Sequence, residues 1–326
     1  MKALIYREFG APNVLEWTEN WPEPSVGPNS VRIRCLAGGV NPKDVLLRKG
    51  KFRALARDPL PRVSGMEIAG EVVEVGKNVT SFAEGETVFG MTNRFSGGIH
   101  SEWAVLDAGE IALAPDNISI SEAAAIPLAA QTALQALQLG KLEAGQKVLI
   151  NGASGGVGHF AVQIANALKA EVHAVCGLKN QDFARSLGAH AVYDYTAQPA
   201  PSIAESFHVV FDVFGKFKKK HFAKQLGRQG VFISTVPKPA TLAGECLARL
   251  GVSSRSRLVG VRSNTEDLNR IRTWVETDQL KPHIDGIYPV ERAAEAHQHV
   301  ESKHTRGKVV LTFSETLPQP VSESES

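Results

Sequence analysis

The chain has 326 residues, 43% hydrophobic, 21% charged and 7% aromatic, the make-up of a soluble globular protein long enough for two domains. Lys and Arg number 36 and Asp and Glu 34, and a net charge of +2 gives no basis for a nucleic-acid or anionic-membrane surface. The apolar runs 111–115 and 123–130 are far shorter than the roughly 20 residues that span a bilayer. Lys2 is not followed by a leader-like apolar run, and Cys35, Cys176 and Cys246 are too scattered for a disulfide framework or a Cys-x-x-Cys metal site, so a cytoplasmic location is expected.

Up to about residue 125, short apolar runs at 2–6, 31–37, 68–75, 87–91 and 103–106 are separated by turn-forming clusters such as Pro22-Glu23-Pro24-Ser25. Several alternate or are β-branched, and the pattern predicts a barrel or partly open sheet of antiparallel strands rather than helices. Beyond 125 the rhythm becomes strand, then helix. Strands are expected at 147–151, 171–176, 191–195, 208–213, 230–235 and 257–261. Helices are expected from Val157 to Lys169, to Leu187 with Gly188 closing it, and over 216–226, 240–250 and 265–277. Six strands alternating with helices imply a doubly wound parallel sheet. Residues 307–313 read as one more strand that returns to the first domain, and 314–326, with Pro318, Pro320 and a Ser-Glu repeat, as a disordered tail. His297 and His299, spaced i, i+2 in a polar segment (291–304), point apart on a helix and read as solvated.

The segment Gly152-Ala153-Ser154-Gly155-Gly156-Val157-Gly158 lies between a strand and a helix. Glycines there permit a sharp turn, clear the approach of a pyrophosphate and let helix and strand pack closely, while the helix N-terminus offers free N–H groups to phosphate oxygens. A dinucleotide cradle is the leading reading; a glycine-rich turn that binds nothing is the bland one. Gly152 to Gly156 also match Gly-x-Ser-x-Gly, the nucleophile elbow of serine hydrolases, with Ser154 as nucleophile, although no His-Gly-Gly-Gly oxyanion segment precedes it. NAD-preferring sites place an Asp or Glu at the end of the second strand, about 20 residues on. Here that strand ends Val175-Cys176-Gly177-Leu178-Lys179-Asn180, with no carboxylate. Lys179 would meet a 2′-phosphate for which Gly177 leaves room, which favours NADPH; the alternative is an exposed lysine with no such role.

Further stretches extend the pattern: Gly39-Val40-Asn41-Pro42-Lys43-Asp44, Gly65-Met66-Glu67-Ile68-Ala69-Gly70, Gly85-Glu86-Thr87-Val88-Phe89-Gly90, Leu187-Gly188-Ala189 and Gly307-Lys308-Val309-Val310-Leu311. With the glycine turn they span nearly the whole chain. Together they resemble the zinc-independent quinone oxidoreductase (zeta-crystallin-like) branch of the medium-chain dehydrogenase/reductase superfamily. Within it, Val175-Cys176-Gly177, Lys179-Asn180 and Asp194-Tyr195 are most similar to chloroplast-envelope quinone oxidoreductase homologues and related enone reductases. The resemblance implies a GroES-like β-barrel catalytic domain (1–125, with a C-terminal return at 280–313) and a Rossmann NADP-binding domain (126–279). It implies NADPH-dependent hydride transfer to a quinone or an α,β-unsaturated carbonyl, and by analogy a homodimer joined through the edge strand 257–261. Asn41 and Asp44 would lie beside nicotinamide and substrate, and Thr132 on the nicotinamide side. Ser154, Gly155, Gly156 and Val157, within the Gly152–Gly158 turn, would cover the pyrophosphate. Lys179 and Tyr195 would hold the 2′-phosphate, Phe214 would flank the adenosine, and Lys308 would lie near the cofactor cleft.

Zinc-dependent relatives carry Cys where this chain has Asn41, and Gly-His-Glu where it has Gly65-Met66-Glu67. An amide and a thioether are poor Zn²⁺ ligands, so no metal is expected. Without a Lewis acid, the acceptor must already be electron-poor, as quinones and enones are. Many members carry a tyrosine after the Asn-Pro-x-Asp turn; here Leu46 and, further on, Phe52 stand instead, which leaves no evident Tyr or His acid and implies a more apolar pocket. For Asn41 and Asp44 a capped turn is the simpler reading, for Tyr195 a core aromatic at a strand end. A non-catalytic NADPH-binding or structural protein of the same fold is the alternative to a reductase.

Overall fold

The computed structural model describes residues 1–313 except 54, 57, 251, 253 and 254, and the backbone alone at 248 and 249. The expected tail at 314–326 lies outside the described residues. Two principal sheets carry the fold. The first has seven strands, in the order Ile284–Pro289, Lys308–Thr312, Ser30–Val40, Glu67–Val75, Thr87–Met91 and Ile111–Leu113, with Trp103–Asp107 pairing Ser30–Val40. Its pairings are antiparallel except that between Ile284–Pro289 and Lys308–Thr312. Leu15–Thr18, Ala3–Tyr6 and Arg62–Val63 form a small satellite sheet.

The second sheet is parallel throughout, in the order Ala191–Asp194, Glu171–Cys176, Lys147–Asn151, Val209–Asp212, Val231–Ser234 and Ser256–Leu258. Its central strands read Val148-Leu149-Ile150 and Val209-Val210-Phe211, buried on both faces as crossover helices require. Helix Pro127–Leu139 joins the two sheets. Ala129, Ala130, Ala133, Leu134, Ala136 and Leu137 share one core with Ala37, Ala69 and Phe89 of the first sheet and Val148, Ile150 and Phe211 of the second. The small side chains of Ala129, Ala130, Ala133 and Ala136 let both sheets approach it. Its alanines carry no amphipathic stripe, which is why periodicity did not announce it.

Two expectations are corrected. Residues 216–226 hold only a 3-10 turn, Lys219–Phe222. Lys216, Lys220 and Lys224 would stack like charges at i, i+4 along a helix, and the Asp212 carboxylate instead accepts a hydrogen bond from the Phe217 N–H at 2.7 Å. His297 is not solvated. It lies in helix Ala293–Glu301, wholly buried beside Ala293 and Ala296, while His299 is half-buried with its Nε2 2.8 Å from Asp285 Oδ2. Ala293, Ala296, His297 and Val300 fall at i, i+3, i+4 and i+7, so His297 shares the apolar face that the polar composition concealed.

Candidate active site

Strand Lys147–Asn151 ends in the glycine turn, and helix Gly156–Ala167 begins inside it. Gly152 has φ +93°, a conformation L side chains rarely adopt, and a Cβ there would meet the Phe214 ring at 2.7 Å. A Cβ on Gly158 would lie 2.0 Å from the Gly152 carbonyl oxygen, so only glycine lets the helix start so close to the turn. Gly155, Gly156 and Val157 follow at the helix N-terminus, where Gly155 is the N-cap.

The ring of His159 locks this first turn. Its Nε2 accepts the His283 N–H at 3.3 Å, so its Nδ1 donates to the Gly155 carbonyl at 3.1 Å. Burial holds this imidazole neutral, with its pKa pushed down to about 3. Both nitrogens are thereby engaged, and Ser154 Oγ accepts instead from Asn180 Nδ2 at 3.2 Å. A Ser-His hydrolytic pair is therefore not assembled at Ser154.

Beyond the turn, Gly177 caps a short 3-10 turn that carries exposed Lys179. Tyr195 is 51% exposed, and its hydroxyl would lie 3.4 Å from a Cβ on Gly177, so it stands at the rim and is not a core aromatic. Phe214, 56% exposed, covers the other flank of the turn at Gly152. The cradle thus has a floor of glycine, an aromatic on each side and a lysine at its far end.

The seven-stranded sheet reaches this cradle through its last strand. The Gly307 N–H donates to the Ser154 carbonyl at 2.9 Å, and Gly155 and Gly307 form a parallel bridge. Lys308 follows and turns inward. Its buried Nζ donates to Asn41 Oδ1 at 2.5 Å and Glu67 Oε1 at 2.7 Å. Glu67 Oε1 also accepts from Asn41 Nδ2 at 2.8 Å, while Oε2 accepts the Leu128 N–H at 2.6 Å in the first turn of helix Pro127–Leu139. Gly39 makes room for this carboxylate; a Cβ there would lie 2.2 Å from Oε1.

Asn41 is the N-cap of helix Pro42–Arg48, and its own N–H donates to Asp44 Oδ2 at 2.8 Å. The capped turn is real and carries the polar centre as well. Asp44 Oδ1 is buried and unpartnered among the described residues, and burial pushes this carboxyl up to about 7, with the nearby Glu67 acting in the same sense. Thr132, one helical turn after Leu128, donates to the Leu128 carbonyl at 2.6 Å. Asn41, Asp44 and Lys308 are thus brought together, and Thr132 joins them through Leu128. Glu67, the hub of the centre, was not singled out by the sequence reading. Its signal was a carboxylate at the head of the apolar run Ile68-Ala69-Gly70, where burial demands a cation.

This centre does not suit zinc. The Asn41 amide and the Glu67 carboxylate are spent on Lys308, on each other and on Leu128, Met66 offers only a thioether, and no group of three His, Cys, Asp or Glu that could hold a metal occurs among the described residues. The nucleotide cradle, in contrast, fits a dinucleotide: N–H groups at a helix start, no side chains over the turn, and flat rings at the ends.

An antiparallel sheet joined through one buried helix to a six-stranded parallel sheet, with the polar centre against a glycine turn, defines a nicotinamide-dependent oxidoreductase of the medium-chain type. Residues 27–116 match the alcohol dehydrogenase GroES-like domain and residues 187–311 the family described as zinc-binding dehydrogenase. The chain is 32% identical to the NADPH-dependent alkenal/one oxidoreductase of Arabidopsis thaliana, over 95% of this chain and 79% of that protein. It is 31% identical to the chloroplast envelope quinone oxidoreductase homolog of the same plant, over 95% and 98%. The structure of the quinone oxidoreductase from Coxiella burnetii superposes with a TM-score of 0.87 at 29% identity, covering 96% of this chain and 99% of that one. The chain belongs to the quinone oxidoreductase branch of the medium-chain dehydrogenase/reductase superfamily.

Proposed function

We propose that the protein is a zinc-independent, NADPH-dependent reductase of α,β-unsaturated carbonyls and quinones. The observation that carries this reading is the contact of two half-sites: the glycine cradle of one sheet, and the Asn41–Glu67–Lys308 centre of the other, clasped to it at Ser154 and Gly307. Gly152 to Gly158 would hold the pyrophosphate, Lys179 and Tyr195 the 2′-phosphate and Phe214 the adenosine, while Asn41, Asp44 and Thr132 would line the nicotinamide end. NADPH, once bound, supplies the hydride. The protein's part is to align the acceptor, exclude water and stabilise charge on the acceptor oxygen.

Titration with NADPH and NADH in the presence of a chelator, followed by a panel of enones and quinones, tests the reading. Micromolar NADPH binding, clearly weaker NADH binding and turnover of at least one acceptor are expected. Binding of neither nucleotide would overturn it. Lys179→Ala is expected to raise the KM for NADPH roughly tenfold, the worth of one charge-assisted hydrogen bond at an exposed site, and to leave that for NADH nearly unchanged. An equal effect on both would remove Lys179 from the 2′-phosphate site.

For the assembly we propose a homodimer paired along Ser256–Leu258. This strand stands last in the order of the parallel sheet, the place the analogy gave to 257–261. Light scattering should give twice the chain mass of 35.1 kDa; the single-chain mass would exclude it.

A further inference from the structure

The resemblance to the family leaves one chemical role unfilled. Hydride arriving at an enone places a negative charge on the carbonyl oxygen, yet Leu46 stands where many members have a tyrosine. A lysine does lie beside the centre. Lys43, between Asn41 and Asp44 on the first turn of helix Pro42–Arg48, is half-buried, and its Nζ lies 4.4 Å from the centre of the Phe95 ring. Phe95 meets Phe52 edge to face at 5.6 Å and 89°. Phe52 in turn packs on the buried cluster of Leu47, Met66, Met91 and Leu128. Two of these flank the polar centre: Met66 precedes Glu67, and the Leu128 N–H binds it. A chain of contacts therefore runs from the ammonium through the two rings and this cluster to the Glu67 end of the polar centre.

Lysine normally extends into water. Here the side chain lies on a ring instead, and desolvation lowers its pKa from the ordinary lysine value, with Asp44 opposing. A cation on an aromatic face, partly stripped of water, is well placed to meet an oxyanion and to give up a proton. Lys308 is less suited, because its ammonium already serves two buried acceptors.

Resting on the reading above, we propose that Lys43 is the proton donor and oxyanion partner of the reaction, and that Phe52 and Phe95 form a subsite selecting enones with flat, apolar substituents. The hydride bonds to the β-carbon, the electron pair of the C=C bond shifts toward the carbonyl, and the C=O π pair becomes a lone pair on oxygen. The Lys43 ammonium transfers a proton to that oxygen, giving an enol that tautomerises to the saturated carbonyl in water. The neutral amine recovers its proton from solvent. The enone is reduced by two electrons and the nicotinamide is oxidised, so hydride and proton together account for both added hydrogens.

The test uses the full chain, NADPH, and two enones of contrasting bulk, acrolein and benzylideneacetone. Lys43→Met is expected to lower kcat/KM about 10²-fold with both, mainly through kcat, the loss typical of removing an oxyanion donor. NADPH affinity by fluorescence should stay unchanged, and Lys43→Arg should recover the oxyanion contact and part of the rate. Phe95→Ala is expected to raise the KM for benzylideneacetone about tenfold, with little change for acrolein. Wild-type turnover with unaltered kcat/KM in Lys43→Met would overturn the role of Lys43 and leave the proposed function standing. Wild-type protein that binds NADPH and reduces neither these enones nor any quinone would overturn the function and this assignment together.

Discussion

Lys308→Met is expected to destabilise the protein by about 3–5 kcal/mol, the cost of leaving a buried carboxylate without its cation. Glu67 is 0% exposed, and Lys308 is the only cation among its hydrogen-bond partners within the described residues; Asn41 and Leu128 give it N–H donors and no charge. Two ions removed from water are costly together and far more so when one is removed. The double variant Glu67→Gln with Lys308→Met should therefore recover most of the loss, since the amide oxygen still accepts from Leu128 while no net charge stays inside. Urea denaturation of the two single variants and the double one checks this. A single variant no less stable than the double one would show that the pair is not an uncompensated-charge problem. Turnover offers an independent reading: the double variant should regain its fold and remain impaired, because Asn41 Oδ1 loses the ammonium that orients it.

The second large effect is acid instability below neutrality. His100, His159 and His297 are all 0% exposed, and burial pushes their pKa values down to about 4, 3 and 3. Each folded-state value lies below the unfolded one near 6.5. The stability they permit is therefore whole above 6.5 and is lost as pH falls toward 4, when the unfolded chain takes up protons that the folded chain refuses. Three such groups give a limiting slope of roughly 4 kcal/mol per pH unit. Asp44 acts oppositely. Its folded value of about 7 exceeds the unfolded one, so its contribution is full below about 4 and lost as pH rises through 7, and it offsets one of the three slopes over that window. About 3 kcal/mol per unit remains, against a total stability of about 5–15 kcal/mol for a typical domain. A clearly lower melting temperature at pH 5 than at pH 7 is expected by circular dichroism. A melting temperature that stays level from pH 7 to pH 5 would refute the argument. Neither ring nitrogen of His297 has a partner among the described residues, so His297→Leu should cost little at pH 7 and should clearly stabilise at pH 5.

What the sequence revealed and what it concealed divide along physical lines. Glycines announce themselves because their role is local: Gly152 and Gly158 are required by a turn and a close approach within seven residues. The parallel strands were legible for a similar reason, as a strand buried on both faces must read as an unbroken apolar run. Buried charge was harder to foresee. Glu67 and Lys308 need each other, but their partnership spans 241 residues of sequence and exists only when the last strand lies beside the third. His297 was misread because an imidazole counts as polar in composition, although its spacing with Ala293, Ala296 and Val300 places it inward. Leu46, where a tyrosine was expected, directed attention to a missing acid. Only the fold shows that Lys43, three residues earlier, turns onto Phe95.

The clasp between Ser154 and Gly307 also bears on biosynthesis. The nucleotide cradle is encoded by residues 152–158, but the strand that closes over it, with the cation that neutralises Glu67, is translated about 150 residues later. A nascent chain of about 300 residues has made every glycine of the turn and still lacks the Gly307 N–H and the Lys308 ammonium. Until the ribosome has released that strand, the first sheet holds an unneutralised carboxylate and the cradle is open on one side. A chain truncated just before Gly307 would therefore lack both the clasp at Ser154 and the cation that neutralises Glu67.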